Sequence, residues 1–468
     1  MRVLLIVLLL ASALFAASPV ISGNYEVGAF RNGENPLLFE MHKLTVGEGR
    51  QSFAYPSRNR VFRGELCDFC FWKINGNVSA SVWNTGFGGE AFFAGFVDSV
   101  DFDMDAKFNW IRESDKSFAE LDGESVHEVW DDGEDWINYT RYRGHFGYNY
   151  AWLRLEMGHD AMHWGPGYYN NLTLNRQAVP YNYFSIDLHF GPLRVISFYS
   201  KLRIDSANVY THEDDNRNLY GHRYEIALGN ATFGVNELQI VYRENNPWLL
   251  TPVFPMFIEK GNYSELNNNG SLSFDANYRF NRLARIYGEF YLDDMESPMT
   301  VIENEYMDSE WAWMLGTQIG HDFLLRGDLL QLGTVFEITR IEQLVYSHYA
   351  SYQGQMANAG RPLGNPMGPN SRKIDWLIYG KYAQNNGNTW IASLQQEFSW
   401  KGNNYGSDIN QDIIPGVSPK MKKNYLGGAK MHYSITPTLT FERPHYGLIG
   451  TFRLGYEAES NIKGWVRW

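Results

Sequence analysis

Apolar and charged or polar residues alternate one by one through much of this chain, and that pattern restricts the fold more than any other feature. Between 271 and 280, Leu272, Phe274, Ala276, Tyr278 and Phe280 interleave with Ser271, Ser273, Asp275, Asn277 and Arg279. Successive side chains of a strand point to opposite faces, so the period of two reads as a sheet with one apolar and one polar face. Past Asn281-Arg282 the return strand sets Ala284, Ile286, Gly288, Phe290 and Leu292 against Arg285 and Glu289. Similar strands read at 148–159, 330–339 and 446–457. Charges inserted between apolar neighbours are costly in a solid core and tolerable in a hydrated lumen, which favours a barrel over a sandwich. The chain ends in the same way, with Ile462, Gly464, Val466 and Trp468 on one face and Lys463, Trp465 and Arg467 on the other. A closing barrel strand with a terminal aromatic fits that ending.

Residues 1–22 read as a cleaved secretory signal: Arg2, an apolar run from Val3 to Phe15, then Ala16, Ala17 and Ser18. Cleavage after Ser18 leaves Pro19 first, and cleavage after Ser22 leaves Gly23. Later apolar runs are all broken by charge, so no spanning helix is expected and 23–468 reads as one domain. The 468 residues include 30 Tyr, 29 Phe, 15 Trp and 44 Gly, yet the mean hydropathy is negative. Half-polar strands and aromatic girdles at the two lipid–water interfaces account for both facts.

The fold expected is therefore an all-β, antiparallel outer-membrane barrel of about 18 strands, with 16 as the alternative. Short turns are expected at Asn75-Gly76, Gly191-Pro192, Gly229-Asn230, Asn281-Arg282, Asn385 to Asn388 and Ser460-Asn461. Long polar and aromatic loops are expected at 113–136, 205–219, 244–269, 294–310, 341–372 and 401–423. The tight turns belong on the periplasmic side and the long loops outside. Outer-membrane lipid is one implied partner. The barrel-assembly machinery, reached through the strand ending at Trp468, is another, and the expected state is a monomer.

The net charge of −13 argues against nucleic acid as a partner. Glu124, Glu128, Asp131, Asp132, Glu134 and Asp135 place part of the excess in one loop, either simply solvated or bridged by cations. Cys67 and Cys70 are the two cysteines, readable as a disulfide or as free thiols, and their spacing alone supports neither redox chemistry nor a zinc site. His159, Asp160 and His163 have a spacing that would share a helix face and hold a metal, but Gly165, Pro166 and Gly167 break a helix there. Asp101, Asp103 and Asp105 share a strand face and are either lumen carboxylates or calcium ligands. No catalytic residue, resident metal or cofactor is expected, and the chain is not expected to be an enzyme.

Loop chemistry points to carbohydrate instead. Between 163 and 184 stand Trp164, Tyr168, Tyr169, Asn170, Asn171, Asn175, Arg176, Gln177, Tyr181, Asn182 and Tyr183. Aromatic rings stack on sugar C–H faces, while amides and guanidinium groups bond hydroxyls and carboxylates. Arg50, Arg58, Arg60 and Arg63, near Phe53 and Tyr55, form a second basic cluster. The same residues also suit an interfacial girdle with lumen ion pairs. Trp164, Tyr168 and Arg176 are the candidate polysaccharide contacts, with Gly165, Pro166 and Gly167 shaping a tight turn.

The run His163-Trp164-Gly165-Pro166-Gly167 through Asn171-Leu172-Thr173-Leu174 to Ala178-Val179-Pro180 resembles the capsule assembly Wzi family. Phe190-Gly191-Pro192-Leu193-Arg194, Glu337 to Arg340, Tyr346-Ser347-His348, and Pro362-Leu363-Gly364 through Gly368-Pro369-Asn370 look like further family elements, in the same order. The resemblance spans about 145–468. It implies an outer-membrane barrel that binds capsular or related exopolysaccharide and helps assemble or anchor it at the cell surface, without enzymatic activity. Some members fill the periplasmic mouth with an N-terminal helical bundle, and no long amphipathic helix reads in 23–65. The alternative function is a porin-type channel for small solutes or saccharides.

Overall fold

The computed structural model describes residues 54–56, 72–83, 86–97, 99–112, 136–150, 152–203, 216–242, 245–252, 255–256, 268–280, 284–295, 309–348, 354–409, 422–443, 446–453 and 459–467. The expectations for the signal segment, Cys67 and Cys70, the four N-terminal arginines, the acidic loop and Trp468 lie outside these residues.

The chain forms an antiparallel β-barrel. Long strands pair in chain order from Trp72–Trp83 and Gly86–Val97 to Tyr446–Arg453 and Glu459–Arg467. Glu459–Arg467 also pairs with Trp72–Trp83, joining Val466 to Val78 and Gly464 to Ala80. Connections 98–99, 151–152, 191–192, 229–230, 281–283, 326–327, 384–388 and 444–445 join strands at one end. The opposite strand ends are connected through the longer intervals 113–135, 161–180, 203–216, 243–267, 296–308, 342–370 and 402–429 and the shorter 84–85 and 454–458. This asymmetry is the one outer-membrane barrels show.

Three local readings change. Asn75-Gly76 lies inside Trp72–Trp83, paired with Ala94 and Phe93, and Ser460-Asn461 lies inside Glu459–Arg467, paired with Phe452 and Thr451. A turn-prone pair is held in a ladder when neighbouring strands supply its hydrogen bonds. The stretch 148–159 is two strands: the first ends at Tyr150 and the second starts at Leu153, so the apolar period runs straight across a two-residue turn.

The usual distribution of polarity is inverted. In Asn268–Phe280, the inward Ser271, Ser273, Asp275 and Asn277 are buried, while Phe274, Tyr278 and Phe280 are exposed. Phe146, Met157, Phe233, Ile286, Leu315, Ile319, Leu332 and Phe336 are exposed on other strands. An apolar exterior around a polar lining suits a wall surrounded by lipid.

Toward the tight-turn end the lining charges are paired. Arg154 donates to Asp101 at 2.5 and 2.8 Å and to Glu156 at 2.5 and 2.9 Å. Arg223 likewise joins Asp275 and Glu225, and Arg194 joins Asp187. His145 lies 3.0 Å from both Asp101 and Asp103, so Arg154 and His145 meet two of the aspartates that read either as lumen carboxylates or as calcium ligands. The side chain of Asp105 lies outside the described residues.

The other half of the lumen is packed rather than wet. Inward Tyr183, Phe198, Leu219, Tyr287, Tyr291 and Met314 meet Trp164, Leu172, Leu174, Val345, Tyr346, Met356, Leu363 and Ile409 from the connections. An apolar core inside the barrel is thus built from loops that fold into it.

Candidate functional site

Leu153–Asp160 and Tyr181–Phe190 are neighbouring strands, paired from Leu153↔Leu188 to Asp160↔Tyr181. The 20 residues between them have no place in the wall, and they turn into the lumen. Met162–Trp164 pairs with Ala54–Pro56, and Trp164 bridges to Leu174. From Tyr168 onward the segment has few backbone partners of its own, so its N–H groups need acceptors elsewhere.

Carboxylates of distant strands supply them. Glu337, on Asp328–Ile341, accepts from the backbone N–H of Tyr168 and of Tyr169, the latter at 3.0 Å. It also accepts the Asn170 amide at 2.9 Å and the Tyr287 hydroxyl at 2.8 Å. Glu289, on Ala284–Met295, accepts the backbone N–H of Leu172 at 2.7 Å and of Thr173 at 2.9 Å, with the Thr173 hydroxyl at 2.5 Å. Asp375 takes a second hydrogen of the Asn170 amide at 2.7 Å. Arg285 closes the set by donating to the carbonyl of Pro166 at 3.2 Å while lying 4.3 Å over the Tyr287 ring. Charged acceptors facing several donors keep a buried backbone satisfied without secondary structure.

The turn before these contacts requires its glycines. Gly165 has φ of +113°, a conformation other residues rarely adopt. A Cβ on Gly167 would stand 2.2 Å from Asn171 Oδ1 and 2.7 Å from Met314 Cε.

Elements far apart in sequence close over the segment. Tyr346 donates its hydroxyl to the carbonyl of Leu172 at 2.7 Å. The backbone N–H of Asn175 donates to Leu363 O at 2.9 Å, and the Asn365 amide donates to Asn170 Oδ1 at 3.2 Å. Asn358 donates to the carbonyls of Val179 and Pro180. Glu337, Tyr346 and the Pro362-Leu363-Gly364 stretch therefore converge on 163–180.

Among the candidate contacts, Trp164 is 1% exposed and packs edge-on against Phe198. Tyr168 is 3% exposed, and its ring lies under the Arg176 guanidinium at 4.8 Å. Arg176 is half-buried, donates to the Tyr168 carbonyl, and stands beside exposed Gln177. The three residues form one cluster, of which Arg176 faces outward most.

The helix-based metal arrangement does not form. His159 is the penultimate residue of a strand and meets Asn182 at 2.8 Å, Asp160 ends that strand and pairs with Arg143 at 3.2 Å, and buried His163 meets the Asn171 amide. Burial holds the His163 imidazole well below its usual pKa, with the positive Arg176 adding to the effect. No group of three or more metal-type ligands occurs among the described residues.

Glu289 and Arg285 were read from the sequence only as charges on the polar face of a strand, and Asp375 and Asn365 were not singled out. In a period-two strand, an inward acid that pairs with an arginine and one that caps a backbone look alike.

No protein family and no curated protein matches the chain by sequence. Among solved structures, the fold is similar to that of Wzi from Escherichia coli, described as an outer-membrane, carbohydrate-binding β-barrel involved in group 1 capsule assembly. The TM-score is 0.53 at 12% identity, covering 84% of each chain. OccAB1 of Acinetobacter baumannii aligns at a TM-score of 0.42 and 8% identity, covering 85% of this chain and 96% of the other. OpdK of Pseudomonas aeruginosa aligns at 0.41 and 9%, covering 85% and 98%. The fold is that of an outer-membrane β-barrel.

Proposed function

We propose that this protein resides in the outer membrane, binds capsular or related exopolysaccharide with its outward loops, and helps anchor it at the cell surface without catalysing a reaction. One observation carries the reading. The segment 161–180 crosses to mid-height of the lumen and is held there by Glu289, Glu337, Asp375 and Tyr346. A barrel that commits four wall and loop residues to a buried crossing segment suits a surface binder better than a diffusion channel. Apart from Phe190 to Arg194, which stands at the tight-turn end, the elements that resemble the Wzi family meet in this one unit, which supports carrying carbohydrate binding to this chain. Arg176 and Gln177, at the segment's exposed corner, are the residues proposed to meet an acidic sugar.

Deletion in the native host tests the function. Polysaccharide that is still made but shed into the medium is the expected result. Unchanged retention with altered uptake of small solutes would favour the channel. Bilayer recording separates the two readings directly: a filled barrel is silent, and a porin carries large steady currents.

A further inference from the structure

Arg340 and Arg372 stand directly opposite each other on neighbouring strands, and their row continues to Trp313 on one side and Trp400 on the other. Their flanking partners Glu337, Thr339, Ser371, Lys373 and Asp375 alternate inward and are buried, so this row faces out of the barrel. Each arginine is one residue from its strand end on the long-loop side, which puts the row at the outer rim.

Like charges opposite one another on a sheet are unfavourable unless an anion joins them. Three cations gather here: Arg340, Arg372 and Lys423. Glu342 accepts from Arg340 at 2.7 Å and lies 3.7 Å from Lys423, and Glu310 also acts on Lys423. Arg372 is exposed and has no carboxylate partner among the described residues. Aromatic rings shape the patch. The Arg340 guanidinium lies 4.1 Å from the Tyr425 ring centre and 5.5 Å from that of Trp311, and the Arg372 guanidinium lies 5.6 Å from that of Trp400. Beneath it, toward the middle of the wall, Phe336 and Trp376 form a cross-strand pair that is 40% and 41% exposed.

We propose that this patch binds the phosphorylated headgroup of an outer-leaflet lipid. The Arg372 guanidinium, together with the Arg340 N–H groups that Glu342 does not take, suits phosphate oxygens, the tryptophans sit where aromatic belts meet headgroups, and the apolar wall below takes the acyl chains.

The test uses the purified full-length protein in detergent, offered lipid A with both phosphates or its dephosphorylated form, with retained lipid counted by mass spectrometry. Wild type should retain the phosphorylated form about tenfold better, and R340Q/R372Q should lose that preference, a change equal to about 1.4 kcal/mol. R326Q, at the tight-turn end of the preceding strand, should behave as wild type. Heat-modifiable migration reports assembly; if the double variant fails to assemble, R372Q alone should lose several-fold retention. Equal retention by wild type and the assembled variant would overturn the proposal. Stripping of the lipid by millimolar inorganic phosphate would overturn it too, because a site for free anion would not need the acyl chains.

Discussion

The carboxylate of Glu289 accepts the backbone N–H of Leu172 at 2.7 Å across 117 residues of sequence. It thereby ties a wall strand to a segment inserted from five strands away around the barrel. Glu337 repeats the arrangement one step along the same segment, on Tyr168 and Tyr169. The interior is therefore organised by acids that cap a backbone, and its energetics follow from removing them.

Glu337→Gln should weaken the barrel by about 1–3 kcal/mol, because an amide offers one acceptor where four donors converge. The temperature at which the folded gel band converts to the unfolded one should fall. Glu442→Gln, on the partly exposed end of Lys430–Arg443, should leave that temperature nearly unchanged.

Gly167→Ala should cost about 1–3 kcal/mol through the clash with Asn171 and Met314. Gly191→Ala meets nothing within 4 Å and bears only the penalty of its φ of +61°, about 1 kcal/mol. The two conversion temperatures should rank in that order.

Arg154→Met leaves Glu156 buried without its cation and Asp101 with only His145 and Asn149, at a cost of about 3–5 kcal/mol. Its assembly yield should drop sharply, and Arg154→Met combined with Glu156→Gln should recover part of it.

His163 supplies a pH dependence. Its folded pKa lies well below the ordinary 6.5, so the unfolded chain takes up a proton first as pH falls. The stability its neutral form contributes is complete above pH 6.5 and declines as pH drops from there toward the folded value. Conversion temperatures measured at neutral and at mildly acidic pH should differ less in His163→Gln than in wild type.

Trp164 and Arg176 should separate stability from binding. Trp164→Ala empties a fully buried site and should cost about 3–5 kcal/mol of stability. Arg176→Ala should leave conversion nearly intact and reduce retention of an acidic polysaccharide on intact cells. Loss of retention in neither assembled variant would remove this corner from the binding surface.

The alternation in 271–280 and 284–292 was enough to read strands, their inward and outward faces and a barrel wall, because a pleated strand maps sequence parity directly onto the two sides of a sheet. It failed at 150–153 and at Asn75-Gly76, where parity and turn propensity say nothing about where a ladder is interrupted. The segment 161–180 was legible as chemistry: aromatics, amides and a glycine turn in one place. Its position was not. A backbone without regular structure is placed by whichever buried acceptors it meets, and Glu289, Glu337 and Asp375 reach it only once the wall curves round. The same holds for the opposed Arg340 and Arg372, 32 residues apart, whose register is set by strand pairing. Local alternation by itself determined the wall of this protein; the tertiary structure decided what fills it, because the hydrogen-bond partners of the filling lie across the lumen rather than along the chain.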